Sequence, residues 1–180
     1  MIYDTNDLLK MYKTKYLIRK KIEERIIFKI GFNLFSDKRI ISYESVISKK
    51  YPNAIFTFDS AFYLLDLTDV MPEKYHLATL QDSYNIKDVE VVQSYQLDHI
   101  FFWGKTTMNL EDGPILIYDK ERMLIELVRF KNQFALDYYK EIIKAYRKIA
   151  DELDGNKVRE YLSHFIHGEA YFKAIMEEVY

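Results

Sequence analysis

Apolar positions crowd most densely in Tyr118-Asp-Lys-Glu-Arg-Met-Leu-Ile-Glu-Leu-Val-Arg-Phe130. On a helix turning about 100° per residue, Met123, Leu124, Ile125, Leu127 and Val128 cover more than half the circumference, leaving Arg122, Glu126 and Arg129 on a narrow strip. An apolar arc that wide cannot face water, so this pattern predicts a central helix wrapped on nearly all sides. Asp119 stands where an N-cap belongs. Glu126 is spaced to pair with Arg122 four residues before it and with Arg129 three after. Glu121, Arg122, Glu126 and Arg129 are therefore read as a structural core motif, since such a ladder fixes packing more often than it does chemistry.

The N-terminal pattern is different. Residues 5–12 predict a short helix with Thr5 as N-cap and Leu8, Leu9 and Tyr12 turned inward. Lys13-Thr14 makes a turn, and Lys15 to Glu24 a second helix whose buried stripe is Ile18 and Ile22, with Lys21 snorkelling beside it. Tyr16, Arg19, Lys20 and Glu23 take the opposite face. Residues 26–30 and 32–35 read as two strands around Gly31. Two short helices and a hairpin correspond to the second half of a winged helix-turn-helix.

Beyond a polar connector at Ser36-Asp-Lys-Arg39, residues 43–50 predict a helix that Tyr51-Pro-Asn53 stops. Residues 54–58 predict a strand, and Asp59 or Ser60 caps a helix over 61–67. Strands are expected at 75–79, 89–93, 99–103 and 115–118, with a further paired segment at 105–109 and a turn at Glu111-Asp-Gly-Pro114. From Phe134 the apolar positions recur every three or four residues, predicting a helix of about five turns and then two shorter ones. The expected fold class is α+β: an N-terminal winged helix-turn-helix module, truncated at its start, over 1–38, then a mixed-sheet domain over 39–180 with a buried central helix and a helical C-terminus.

Charge sharpens the N-terminal reading. The net charge of -2 hides a split, because residues 1–50 hold 12 Lys/Arg against 6 Asp/Glu while residues 51–180 hold 14 against 22. A basic first quarter points to an anionic partner. A recognition helix needs cations and hydrogen-bonding groups on its outer face, which Tyr16, Arg19 and Lys20 supply. Lys13 and Lys15 lie at its N-terminal end, where phosphate contacts are natural, and Lys29 on the hairpin can meet an adjacent phosphate. The competing reading packs this basic segment on the body or against an acidic protein.

The run Tyr51-Pro-Asn-Ala-Ile-Phe-Thr-Phe-Asp-Ser-Ala61, followed by Leu67-Thr-Asp69 and Pro72, resembles a block that follows the winged helix in AbiEi-type antitoxins of type IV toxin–antitoxin systems. Glu121-Arg-Met-Leu-Ile-Glu-Leu-Val-Arg129 is similar to a downstream motif of that family, with Glu126 where the family has Asp. The likeness runs along nearly the whole chain and is strongest over 51–79 and 118–147. It departs at the start, where four residues precede the first helix and the family has another helix. The resemblance implies an antitoxin that represses its own operon by binding operator DNA through the winged helix. It also implies a second domain that counteracts a cognate nucleotidyltransferase-like toxin.

Other chemistry finds little support. The chain has no Cys, which excludes disulfides, thiolate nucleophiles and Cys zinc sites. Glu160, His164 and His167 could share a helical face, but without a second ligand-bearing helix they read as surface residues. His76 and His99 fall in strand candidates. Asp151-Glu-Leu-Asp-Gly155 lacks the alternating acids of a calcium loop. No phosphate-cradling Gly loop, nucleophile elbow or zinc-protease helix is present. Asp112, Asp119, Lys120 and Glu121 offer a nuclease's residue types in no recognisable order. The expectation is a non-enzymatic protein without metal or cofactor. It is also expected to be cytoplasmic, because no apolar run reaches the roughly 20 residues of a membrane span and the start lacks a signal peptide.

Overall fold

Ahead of the first helix, Ile2–Asp4 form a strand, β1, too short for any periodicity to announce. It is followed by α1 (Thr5–Tyr12), α2 (Lys15–Glu23), β2 (Phe28–Gly31), β3 (Leu34–Ser36) and α3 (Tyr43–Lys50). The computed structural model describes residues 1–180, and residues 1–52 and 107–115 make up the first of its two units. Against the expected boundary after residue 38, α3 and the turn around Asp112 go with the N-terminal segment.

The three strands lie in the order β1-β3-β2, both pairings antiparallel, with Tyr3 and Lys29 each opposite Phe35. Side chains alternate between the faces of a strand, so the sheet serves two small cores. Tyr3 and Phe35 pack with Leu8, Leu9, Tyr12, Ile18, Ile22 and Ile27, which puts α1 and α2 on that face. Ile2 and Leu34 pack with Ile30, Ile41 and Val46, which puts α3 on the other. Asp4, rather than the expected Thr5, caps α1: its carboxylate accepts from Asp7 N, and its own N–H donates to the Asp7 carboxylate. Asp112 binds Lys38 Nζ at 2.8 Å and accepts from Ser42 N at 2.7 Å. Lys38, by that hydrogen bond, holds the Asp112 carboxyl below the usual aspartate range, with Ser42 N adding to the effect.

The second unit comprises residues 53–106 and 116–180. Its elements are β4 (Ile55–Phe56), α4 (Phe58–Leu64), β5 (Tyr75–Leu80), β6 (Val91–Gln96), α5 (Asp98–Phe101), β7 (Lys105–Leu110), β8 (Gly113–Tyr118), α6 (Lys120–Arg129), α7 (Leu136–Lys148), α8 (Gly155–Leu162) and α9 (Gly168–Glu178). Only the ends of β7 and β8 at 105–106 and 116–118 fall in this unit. Strand order is β6-β5-β4-β8-β7, mixed as expected: β4 pairs antiparallel with β5 and parallel with β8, and β5 pairs parallel with β6. No helix is long and apolar enough to cross a membrane.

The central helix is α6, capped by Asp119, whose carboxylate accepts from Arg122 N. Residues Glu121 through Val128 are all buried, Arg122 and Glu126 of the charged strip included, while Arg129 is half-buried. Arg122 is fully enclosed: Nε donates to Glu126 Oε1 at 2.9 Å, and Nη1 donates to the carbonyls of Ile100 at 2.5 Å and Trp103 at 3.1 Å. The rings of Tyr118 and Phe165 lie 4.6 and 4.9 Å from its guanidinium carbon. Arg129 reaches the second oxygen of Glu126 at 3.3 Å and Gln96 Oε1 at 3.2 Å. Gly104, with φ +75°, passes so close to α6 that a Cβ there would sit 2.3 Å from Arg122 Cβ.

Three expected elements are corrected. Residues 99–103 are not a strand: Asp98–Phe101 form α5, which also removes His99 from a strand. A four-residue helix leaves its carbonyls unpaired. Arg122 takes those of Ile100 and Trp103, and Tyr118 Oη donates to Phe101 O, so partners about twenty residues away make the helix tenable. The helix after β4 begins at Phe58, with Thr57 rather than Asp59 or Ser60 at the N-cap position and no side-chain cap. The helix after Phe134 is α7, 13 residues long and shorter than expected, because Ala150–Glu152 tighten into a 3-10 turn.

Arg122→Met should lower the unfolding free energy in urea by roughly 3–5 kcal/mol, since it leaves the buried Glu126 carboxylate with only the more distant, half-buried Arg129. Adding Glu126→Met should cost less than the sum of the two single changes. Additive costs would show that the pair is not coupled. A group with a depressed pKa stabilises the fold above its unfolded value and loses that contribution as pH falls toward its folded one. Acidification below about pH 4 should therefore loosen the first unit, and Asp112→Asn should flatten that part of the stability–pH curve.

Candidate nucleic-acid interface

The basic segment folds so that its apolar residues are consumed by the sheet and its cations are not. Ile18 is buried against Leu8 and Ile27, and Ile22 packs beside them, which orients the rest of α2 outward. All six residues expected to touch nucleic acid are exposed: Lys13, Lys15, Tyr16, Arg19 and Lys20 on or next to α2, and Lys29 on β2. Tyr16 is 75% exposed, too much for a ring with a packing role.

Lys29 lies opposite Phe35 in the register. Directly opposed residues share a face, so Lys29 stands on the side of the sheet that carries α1 and α2. Strand β2 is at the sheet's edge, which leaves the Lys29 flank open.

Charge at the start of α2 runs against the helix dipole, although Lys20 and Lys21 in its last turn run with it. Its first turn has no acid and begins at Lys15, with Lys13 just before it, whereas Glu23 closes the helix and Glu24 caps it. A helix end with its N–H groups outward prefers anions, so two lysines there disfavour the helix alone and favour a phosphate beside it. At the other end, Lys21 Nζ bonds Glu24 at 2.8 Å and Lys20 Nζ lies 3.9 Å from the same carboxylate. The Lys21 bond holds the Glu24 carboxyl below its usual range. Residues 10–29 hold eight Lys/Arg against those two Glu. Lys13, Lys15, Arg19 and Lys29 form no ion pair and remain available to an external anion.

Two helices joined by Lys13 and Thr14 demand an unusual backbone. Lys13 adopts φ 67°, its N–H returning to Leu9 O, and Thr14 Oγ1 accepts from Leu17 N to start α2. β1 and the Asp4 cap carry no periodic signal in the sequence, because the apolar spacing of α1 begins only at Leu8 and Thr5 is itself a good capping residue.

The remaining chemical groupings disperse. Asp119 caps α6 and accepts from Tyr161 Oη at 2.8 Å, while Glu121 accepts from Asp154 N at 3.0 Å. Burial raises the Asp119 carboxyl above its usual value against the pull of those hydrogen bonds. Asp112 is held by Lys38 and Ser42. The acids of the hypothetical nuclease are thus each bound to structural donors. Glu160, His164 and His167 do not share a helical face, because α8 stops at Leu162; His164 stacks on Trp103 with ring centroids 3.9 Å apart. His76 Nε2 lies 3.7 Å from Asp59 Oδ2, and burial lowers its basicity while that carboxylate opposes the shift.

Lys13→Gly should leave thermal stability unchanged or raise it by up to about 1 kcal/mol, since glycine adopts positive φ without strain. Thr14→Ala, which removes the α2 cap, should cost about 1 kcal/mol in the same thermal melt.

The chain matches no protein-family model and no curated protein.

Proposed function

We propose that this protein is a DNA-binding regulator whose first unit is a winged helix-turn-helix, with α2 as recognition helix and β2–β3 as wing. The observation that carries this reading is the exposure of Tyr16, Arg19 and Lys20 along one helical face, at i, i+3 and i+4, on a helix whose other side is fixed to a sheet of order β1-β3-β2. A helix about 10–12 Å across fits the major groove, where arginine and lysine meet guanine edges and phosphates. The N-terminal lysines would neutralise backbone charge, and Lys29 would touch a phosphate beyond the groove.

The biological setting we propose is that of an antitoxin and autoregulator of the AbiEi type. On this reading the first unit represses the operon, and the second counteracts a nucleotidyltransferase-like toxin. Support for it is the likeness over 51–79 and 118–147, together with the structural part that Glu121, Arg122, Glu126 and Arg129 play in α6. The alternative is an interaction module whose basic helix meets an acidic protein. Met11 and Leu17, partly exposed near the cations, favour it.

Selection from a random duplex library should yield a bound sequence, with affinity falling steeply as salt rises. Arg19→Ala with Lys20→Ala should reduce the slope of log K against log salt by about 2 if both touch phosphates. Unchanged affinity in that variant removes the DNA reading. Retained binding to an acidic protein, with no duplex selected, installs the alternative.

A further inference from the structure

One exposed side chain in the first unit has no role in folding. Phe32 is 97% exposed at the tip of the β2–β3 hairpin, in the two-residue turn Phe32-Asn33. Turn chemistry does not call for it: the residue with positive φ is Asn33, at 57°, and a turn this tight favours Gly, Asn or Asp over an aromatic. Packing does not call for it either, since the ring belongs to neither of the unit's two cores. A phenylalanine held almost wholly in water forgoes the burial, worth about 1.5–3 kcal/mol, that such a side chain ordinarily gains.

The tip is firmly mounted. Strands β2 and β3 pair directly behind it, and Thr5 Oγ1 bonds Asn33 Oδ1, tying the turn to the start of α1. That bond engages the oxygen of Asn33 and leaves its amide N–H groups without an acceptor. Lys29 stands three residues before the ring, exposed and without an acidic partner. Lys50 borders the hollow beside the tip, with Lys49, whose Nζ pairs with Asp7 at 2.8 Å, and with Asp4, which caps α1.

We infer that the Phe32-Asn33 tip is a wedge that enters a base step from the minor groove and kinks the duplex while α2 occupies the neighbouring major groove. This rests on the DNA-binding reading and goes beyond it. An aromatic ring on a rigid hairpin provides the apolar wedge that partly unstacks a step. An amide donor matches the adenine N3 and thymine O2 acceptors that line the minor groove of A·T pairs. Lys29 supplies the cation for the flanking phosphate. Deformable pyrimidine–purine steps, TA above all, are the sequences such a tip selects.

The test uses the full chain and a duplex of about 30 bp with a central TATA segment, dye-labelled at both ends for energy transfer and carrying 2-aminopurine at the TA step. Bound wild-type protein should shorten the end-to-end distance, as expected for a kink of about 20–90°, and should brighten 2-aminopurine by unstacking it. Phe32→Ala should bind roughly tenfold more weakly, the loss of about one base–aromatic stack, and leave the duplex straight and the probe dark. Phe32→Leu, still apolar, should keep part of the bend. The wedge is overturned if Phe32→Ala bends DNA like the wild type, or if the wild type binds, in an Arg19- and Lys20-dependent manner, without changing either signal. Failure of the wild type to bind any duplex overturns the DNA reading itself, and the wedge with it.

Discussion

A guanidinium sealed away from water dictates the second unit. Burying Arg122 costs several kcal/mol of desolvation, which attraction to Glu126 offsets only if the other N–H groups also find acceptors. The carbonyls of Ile100 in α5 and of Trp103 just beyond it take Nη1, Nη2 forms no hydrogen bond but lies 2.7 Å from Glu126 Oε1, and two aromatic rings close over the cation's faces. One side chain therefore fixes the positions of α5, β8, α6 and the segment after α8. Gly104 follows from the same constraint: the chain must turn back directly against Arg122, where a Cβ would overlap it. Glu126 has two cationic partners, and exchanging it for a neutral residue would strand the enclosed Arg122, while Arg129 would keep Gln96.

Charge is divided between the units as sharply as burial. The first unit carries 12 Lys/Arg against 8 Asp/Glu, and the second 14 against 20. In the second unit the most conspicuous charged ladder lies inside, so it creates no field for a partner to feel. In the first unit the ladder is outside and mostly unpaired. A polyanion approaching this chain is attracted by the first unit and repelled by the second, which orients the encounter before any specific contact forms.

The elements that were legible in the sequence are those whose signal is local and repeated. Alpha-helical spacing placed α1, α2, α3 and α6 to within a residue or two, and the width of the α6 apolar arc announced its enclosure. The outward face of α2 was legible for the same reason, because Ile18 and Ile22 leave Tyr16, Arg19 and Lys20 nowhere else to go. What escaped depends on distant partners. Strand β1 exists through β3, thirty-odd residues away, and α5 through Arg122. An aromatic run such as His99-Ile-Phe-Phe-Trp103 satisfies strand and helix propensity alike, and only the fate of its carbonyls decides between them. Asp112, whose carboxylate joins Lys38 and Ser42 across some seventy residues, looked like an ordinary turn residue.

The cost of the exposed cations is itself informative. The first unit rests on two clusters, each with three buried residues, and a core of that size leaves a small margin of stability. Like charges at Lys15 and Arg19, four residues apart, destabilise a helix by roughly 0.2–0.5 kcal/mol, and lysines at the N-terminal end add an unfavourable term against the dipole. An acid in place of Lys15 would relieve both at no cost to packing, since that side chain is exposed. A sequence that keeps a lysine there accepts weaker folding when free, a loss that an anion docked beside Thr14 and Lys15 would offset.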